Sequence, residues 1–270
     1  WLIAWTELVV FRGRVARQPH WLGALAVLAT LLPPILLLWG WFGGWDVVHG
    51  GYRFLDFSAG ERLLTELRVL WLYVYWLLLP WAGDPGFVHD DLLVSTGWLQ
   101  PLTTAVSAAA WSGLLIGALA LCRRAPLLLF ALGFFLIGHA MESSVLALEL
   151  AFEHRNYLPS FALALLVARA IVAATERLQG GMPDLARLLP CLLLLLLVIP
   201  LAQRMVTWSD PLMLARSSVA AHPRSPRAHY LLAEALEQSA STRSGDERMA
   251  QLLAARESYG TMAAVDGDAL

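Results

Sequence analysis

The sequence predicts an all-α protein, a polytopic membrane helical bundle followed by a small helical hairpin. Three observations carry that prediction. Apolar residues fill 58% of the 270 positions and charged residues only 15%, with a mean hydropathy of +0.61, a balance typical of polytopic membrane proteins. Several apolar runs are long enough to span a hydrocarbon core. After Trp208 the composition turns polar, amphipathic and rich in small residues, which divides the chain into a membrane portion, 1–207, and a tail, 208–270.

Taken in order, Trp1 to Phe11 reads as the end of an apolar segment without its beginning, so the chain is expected to be the C-terminal piece of a longer membrane protein. Full spans are predicted at Trp21 to Trp41, kinked by Pro33 and Pro34, and at Leu102 to Leu121, Pro126 to Met141, Leu158 to Ala174 and Leu188 to Met205. A shorter run, Val69 to Trp81, is rich in Trp and Tyr. All 19 basic residues are arginines, and the short loops holding Arg12, Arg14 and Arg17, then Arg123 and Arg124, then Arg177 and Arg187 are expected to be cytoplasmic. These loops share one side only if Val69 to Trp81 does not cross, which makes it an interfacial or re-entrant helix. The segment 42–100, the loop around Glu153 and the tail then face the extracytoplasmic side.

Inside that outer segment, Gly43-Gly44 and Gly50-Gly51 mark turns, and Ser58 to Glu61 has the spacing of a capping box. The helix it starts carries Arg62, Glu66 and Arg68 into the aromatic run. Arg62 and Glu66, four apart, are expected to pair, and the alternative has Arg62 or Arg68 contacting an anionic group at the membrane surface. His89, Asp90 and Asp91 are read as a solvated acidic turn in preference to a metal site. Cys122 and Cys191 are read as small buried hydrophobes, not as a disulfide or metal pair. A net charge of −2 says little about partners, while the lack of a basic stripe argues against a nucleic-acid partner.

Helices are predicted in the tail at Pro211 to Ala221, Pro226 to Ser239 and Asp246 to Ala264. The pieces His222 to Leu236 and Ala255 to Tyr259 fit a tetratricopeptide-like hairpin, whose small residues let two helices approach closely. One hairpin cannot bury its own apolar face, so it needs further repeats or support from the membrane domain.

The chemistry is expected at His139 to Pro159, where an ionisable cluster stands at the end of an apolar run. If this segment is helical, His139, Glu142, Glu149 and Glu153 share one face about 80° wide. His154, Arg155 and Tyr157 follow, ahead of a proline that limits the helix. A guanidinium grips two phosphate oxygens, with Tyr and His adding hydrogen bonds, so these three residues suit a lipid phosphate. The carboxylates can take a proton from an acceptor hydroxyl, orient a sugar or bind a divalent cation. The alternative is a buried network in which Glu142, Glu149 and Glu153 pair with Arg155 and Arg62.

Three stretches carry a resemblance: Glu142 to Ser160 (ESSVLALELAFEHRNYLPS), Glu61 to Tyr73 (ERLLTELRVLWLY) and the tail. Together they resemble bacterial membrane proteins with C-terminal tetratricopeptide repeats. Those in turn are similar to the transmembrane and tetratricopeptide-containing O-mannosyltransferases of the GT-C glycosyltransferase superfamily. The resemblance implies a partial GT-C-like bundle in a bacterial inner membrane, multi-pass, with its tail extracytoplasmic. It implies transfer of sugar from a polyprenyl-phosphate donor to an acceptor, a protein brought in by the repeats, with membrane lipid as a further partner. It places the catalytic acid N-terminal to Trp1 and matches Glu153, His154, Arg155 and Tyr157 to donor-phosphate and sugar contacts. Glu149 and Glu153 are candidate catalytic contributors here, and Arg62 and Arg68 join the donor set from the residue reading above. No metal ligands are assigned, and a divalent cation stays open as cofactor. A surface-glycan ligase or polymerase, and a membrane-anchored repeat scaffold without catalysis, are the alternatives; a transporter is disfavoured because no spanning pair shows interrupted, repeated helices.

Overall fold

Ser58 opens the first helix, α1 (Ala59–Leu78), through a reciprocal capping box. The Ser58 backbone N–H donates to Glu61 Oε2 at 2.8 Å and the Glu61 N–H donates to Ser58 Oγ at 3.3 Å, so two of the donors a helix start leaves over are satisfied. The computed structural model describes residues 50–80 and 86–268 together with Ile35 and Trp39. The spans expected before residue 42, the Gly43-Gly44 turn and the first arginine loop lie outside the described residues. Seven helices follow α1: α2 (Leu102–Ala120), α3 (Pro126–His139), α4 (Ser160–Gln179), α5 (Pro183–Ser209), α6 (Pro211–Ala221), α7 (Pro226–Ser241) and α8 (Gly245–Asp268). Among the described residues there is no strand, only an isolated bridge between Gly97 and Gln100.

The helix started at Ser58 runs into Val69 to Trp81, as expected. The described part of that run is the second half of the 20-residue α1, because nothing between Glu61 and Leu78 breaks the helix. Among the described residues, two helices are long and apolar enough to cross a membrane. In α2 the most apolar window has a mean hydropathy of 1.6 with 17% of it buried, and in α5 the values are 2.5 and 11%, so both helices leave most of their apolar surface uncovered. The run beginning at Pro126 forms only 14 helical residues, ending at His139, and α4 runs on past Ala174 through Glu176 and Arg177. Neither therefore meets that test. The cysteines are also not buried: Cys191 is exposed on α5 and Cys122 half-buried, and both are free thiols.

The described chain divides into two compact units. One holds the residues up to Tyr73, Val94–Leu148 and Glu153–Ala174; the other holds Val74–Leu93, Glu149–Phe152 and the residues from Thr175 on.

In the first unit the apolar core is Phe130, Ala131 and Phe134 of α3 against Ala162 of α4. Gly138 lets these two helices meet at their ends, since a β-carbon there would stand 2.8 Å from Pro159 Cγ. α1 is stitched to α2 by indoles: Trp111 Nε1 donates to the Leu67 carbonyl at 3.0 Å and Trp71 Nε1 to that of Ser107 at 3.4 Å. The rings continue as a circuit. Trp71 stacks on Trp111 at 4.4 Å, Trp111 on Phe135 at 6.0 Å, Phe135 meets His139 at 4.7 Å, and His139 stacks on Tyr73 at 4.9 Å, back on α1.

In the second unit, prolines at the first turns of α5, α6 and α7 set their starts, and Asp210 and Ser225 cap α6 and α7 by accepting from backbone N–H groups. α7 and α8 pack along each other through Ala233, Leu236 and Ala255, with Leu232 and Tyr259 at the margins. Ser258 Oγ donates to the His229 carbonyl at 2.8 Å across that interface.

Candidate functional site

The first unit gathers four charged side chains from distant parts of the sequence. Arg62, fully buried on α1, pairs with Glu66 at 2.9 Å. Its Nε donates to the Ser144 carbonyl at 3.1 Å, its Nη2 to the Glu142 carbonyl at 2.6 Å, and its Nη1 to the Leu148 carbonyl. Glu142 in turn pairs with Arg155 at 3.3 Å. Two arginines and two glutamates thus balance inside the domain, which is how buried charge becomes tolerable.

This arrangement overturns the expected helix through His139 to Glu153. α3 ends at His139, the chain turns through Ala140 to Ser143, and it regains helical form only as one 3₁₀ turn, Glu153–Asn156. The reason is a competition for backbone groups. A helix here needs the carbonyls of Glu142, Ser144 and Leu148 for itself, and Arg62 takes all three. Ser144 adds local alternatives, donating to the Met141 carbonyl at 2.6 Å and accepting from the Leu146 N–H at 3.3 Å. His139, Glu142, Glu149 and Glu153 therefore do not share a helical face.

Nor does Arg62 contact an anionic surface group: with no exposure, it is an internal bolt. Arg68 donates to the buried Ser95 Oγ at 3.2 Å, and Ser95 also bonds Thr104 Oγ1 at 2.8 Å and, through its N–H, Thr65 Oγ1 at 2.8 Å. Arg155 is 8% exposed and turned toward Glu142, while His154 is exposed and Tyr157 is 91% exposed. Glu153 is half-buried in the 3₁₀ turn, and Glu149, in the other unit, pairs with Arg227. Of the three residues expected to hold phosphate, His154 and Tyr157 are thus exposed and Arg155 faces inward.

Sequence reasoning underrated Glu66, Asn156 and Tyr73. Glu66 is 2% exposed, and burial pushes its carboxyl up to about 7, against Arg62, Ser143 and Arg155, which favour the charged form. His139, fully buried, has neither ring nitrogen in a well-aligned hydrogen bond, and the same holds for both Glu66 oxygens and for Asn156 Oδ1. Ser143 and Asn156 stand near enough to support Glu66 and His139, off the line of a good hydrogen bond. A buried carboxyl that changes charge near neutrality, held by an arginine and approached by a serine, is the kind of group proton-handling sites use. The one signal in the sequence was a His closing an apolar run. Among the described residues no group of three His, Cys, Asp or Glu is placed to hold a metal ion.

The second unit contains a separate cluster. His89, 4% exposed, faces His222 at 3.0 Å (Nδ1 to Nε2), and His222 Nδ1 meets Asp91 Oδ1 at 2.7 Å. Asp90 accepts from Ser225 Oγ and from the Arg227 N–H at 3.3 Å. The reading of these residues as a solvated turn holds only in part: Asp90 and Asp91 form a turn and Asp90 is exposed, but His89 is buried, and their partners lie more than 130 positions away, beyond the reach of any local pattern.

Compared with family models, with curated proteins and with solved structures, the chain matches none.

Proposed function

We propose that this protein is a membrane glycosyltransferase that takes a sugar from a polyprenyl-phosphate donor and passes it to an extracytoplasmic acceptor, a protein engaged through the C-terminal helices. The observation that carries the reading is the Arg62–Glu66–Glu142–Arg155 network at the end of the apolar helix α3, with His154 and Tyr157 exposed immediately beyond it. Buried charge in an apolar domain is expensive, and here it is concentrated beside the two groups best able to hydrogen-bond a lipid phosphate. The phosphate docks on His154 and Tyr157 and competes with Glu142 for Arg155, whose planar fork suits a tetrahedral anion. Glu66, neutral or charged near pH 7, is the group able to take the proton that an acceptor hydroxyl releases, by way of water. In this reading the enzyme is multi-pass in a bacterial inner membrane, with the Arg-rich loops cytoplasmic and the tail a tetratricopeptide-like unit outside.

The test is binding of a polyprenyl-phosphate-linked hexose to the full chain in detergent, with and without a divalent cation. Tyr157→Ala and His154→Ala each weaken binding by about tenfold, the value of one lost hydrogen bond to a charged group, with thermal stability unchanged because both side chains are exposed. Wild-type affinity in both variants overturns the assignment.

A membrane-anchored scaffold is the second reading, favoured by the tight α7–α8 packing that presents a separate helical surface. It predicts that removal of residues 216–270 abolishes function while Tyr157→Ala leaves it intact. A surface-glycan ligase or polymerase differs from the leading reading only in its acceptor, which product analysis identifies.

A further inference from the structure

We infer that the loop of residues 86–91 is an acid-released latch on the C-terminal helices, worked by the hydrogen-bonded, edge-on pair His89 and His222. The loop is fastened to the end of α5 and to the α6–α7 corner by five contacts. The Phe87 N–H donates to Ser218 Oγ at 3.2 Å, and the Phe87 ring meets Trp208 edge-on at 5.8 Å. Asp90 accepts from Ser225 and from the Arg227 backbone at the start of α7, and Asp91 holds His222. Gly86 permits the close approach: its φ is +74°, and a β-carbon there would stand 3.0 Å from His222 Cδ2.

Hydrogen-bond accounting fixes the tautomers. Asp91, as a carboxylate, only accepts, so His222 carries its hydrogen on Nδ1 and offers a lone pair at Nε2. His89 Nδ1–H donates to that lone pair. His89 Nε2 is then left bare, buried and without a hydrogen-bond partner, with the ring lying 4.7 Å from Trp76.

Acid breaks this chain in either order. One added proton gives His222 a second N–H, and His89 must move its hydrogen to Nε2, where nothing accepts it. A second proton sets two cations against each other across the 3.0 Å nitrogen–nitrogen contact. The groups facing His89 pull in both directions: Asp91 and Asp90 favour its charged form, while burial, His222 and Arg204 oppose it, and burial dominates. The outcome is an imidazole lowered from 6.5 to about 4. A folded value below the unfolded one contributes stability that is complete above about 6.5 and is lost as the pH falls toward 4. The latch is closed at neutral pH and opens in mild acid, freeing α6–α8 from the loop.

The experiment is spin-label distance measurement on the full chain in detergent, with Cys122 and Cys191 replaced by serine and labels at Leu93→Cys and Ser244→Cys. The expected result is one narrow distance at pH 7.5 and a released population that grows about tenfold by pH 5. In His89→Phe, which keeps the packing on Trp76, that growth disappears, and His89→Gln gives the same result if the Phe variant fails to fold. His229, which bonds the Pro223 carbonyl at 3.1 Å, is the other histidine of the hairpin, so His229→Gln keeps the response. A wild-type distance that does not change between pH 7.5 and 5, or an unchanged response in both His89 variants, overturns the latch.

Discussion

Replacing Arg62 with methionine separates two roles that one guanidinium performs. The first is backbone support, three hydrogen bonds to the carbonyls of Glu142, Ser144 and Leu148. Bonds from a charged donor are worth about 1.5–3 kcal/mol each, but these residues are only partly covered and water replaces part of the loss, so a deficit of about 3 kcal/mol is expected, independent of pH. The second role is electrostatic. In the native protein Glu66 titrates near 7 instead of 4.5, so between those values the folded state holds a proton that the unfolded state has released. Stability contributed by this group is therefore full below 4.5 and is lost as pH rises through about 7, with a slope of about 1.4 kcal/mol per pH unit, flattening above 7. Without Arg62 the carboxyl holds its proton to higher pH, so the decline continues past 7. Unfolding of Arg62→Met and wild type in detergent, followed from pH 5 to 9, should give two curves that run parallel to about pH 7 and then diverge. A constant gap across the range refutes the electrostatic argument, and a gap below about 1 kcal/mol at pH 6 refutes the backbone one.

Gly138→Ala drives a methyl into Pro159 and should cost about 1–3 kcal/mol by overpacking, read as a lowered Tm with no change in helix content. Arg155→Gln strands Glu142, which keeps 26% side-chain exposure, so the expected loss is about 2 kcal/mol and not the 3–5 of a fully buried pair; Glu142→Gln in the same chain should restore part of it in a double-mutant cycle. Ala233→Leu forces α7 away from α8 and should destabilise the tail by about 1–3 kcal/mol, seen as faster amide exchange in α8 while α3 is unaffected.

Local chemistry was legible and long-range chemistry was not. The capping box at Ser58 and the Asp210-Pro211 and Ser225-Pro226 starts announce their helices because cap, proline and first turn are sequence neighbours. Pro211 to Ala221 is read with both ends correct, and the Arg62–Glu66 pair follows from one turn of helix. The segment after His139 failed because its helical periodicity is real but its carbonyls are claimed by a residue about 80 positions upstream. The His89 loop failed in part for the same reason, as its partners lie in the tail. Of the predicted site, His154, Arg155 and Tyr157 are neighbours in sequence, yet which of them faces outward depends on Glu142, whose pairing with Arg155 the sequence offered as the buried-network alternative without a spacing rule to select it.

The closed circuit of rings from Trp71 through Trp111, Phe135 and His139 to Tyr73 has an optical consequence. Two indoles 4.4 Å apart and 28° from parallel share their electronic excitation, and such a coupled pair contributes a circular-dichroism couplet of paired opposite signs that no isolated tryptophan produces. Among the described residues Trp71 and Trp111 are the stacked indole pair, and their couplet reports whether they remain in register. Parting α1 from α2 extinguishes it even where helix content is untouched, and Trp111→Phe removes it at the source. The protein thus carries an intrinsic spectroscopic ruler for the packing beneath its buried charges, readable without label or substrate.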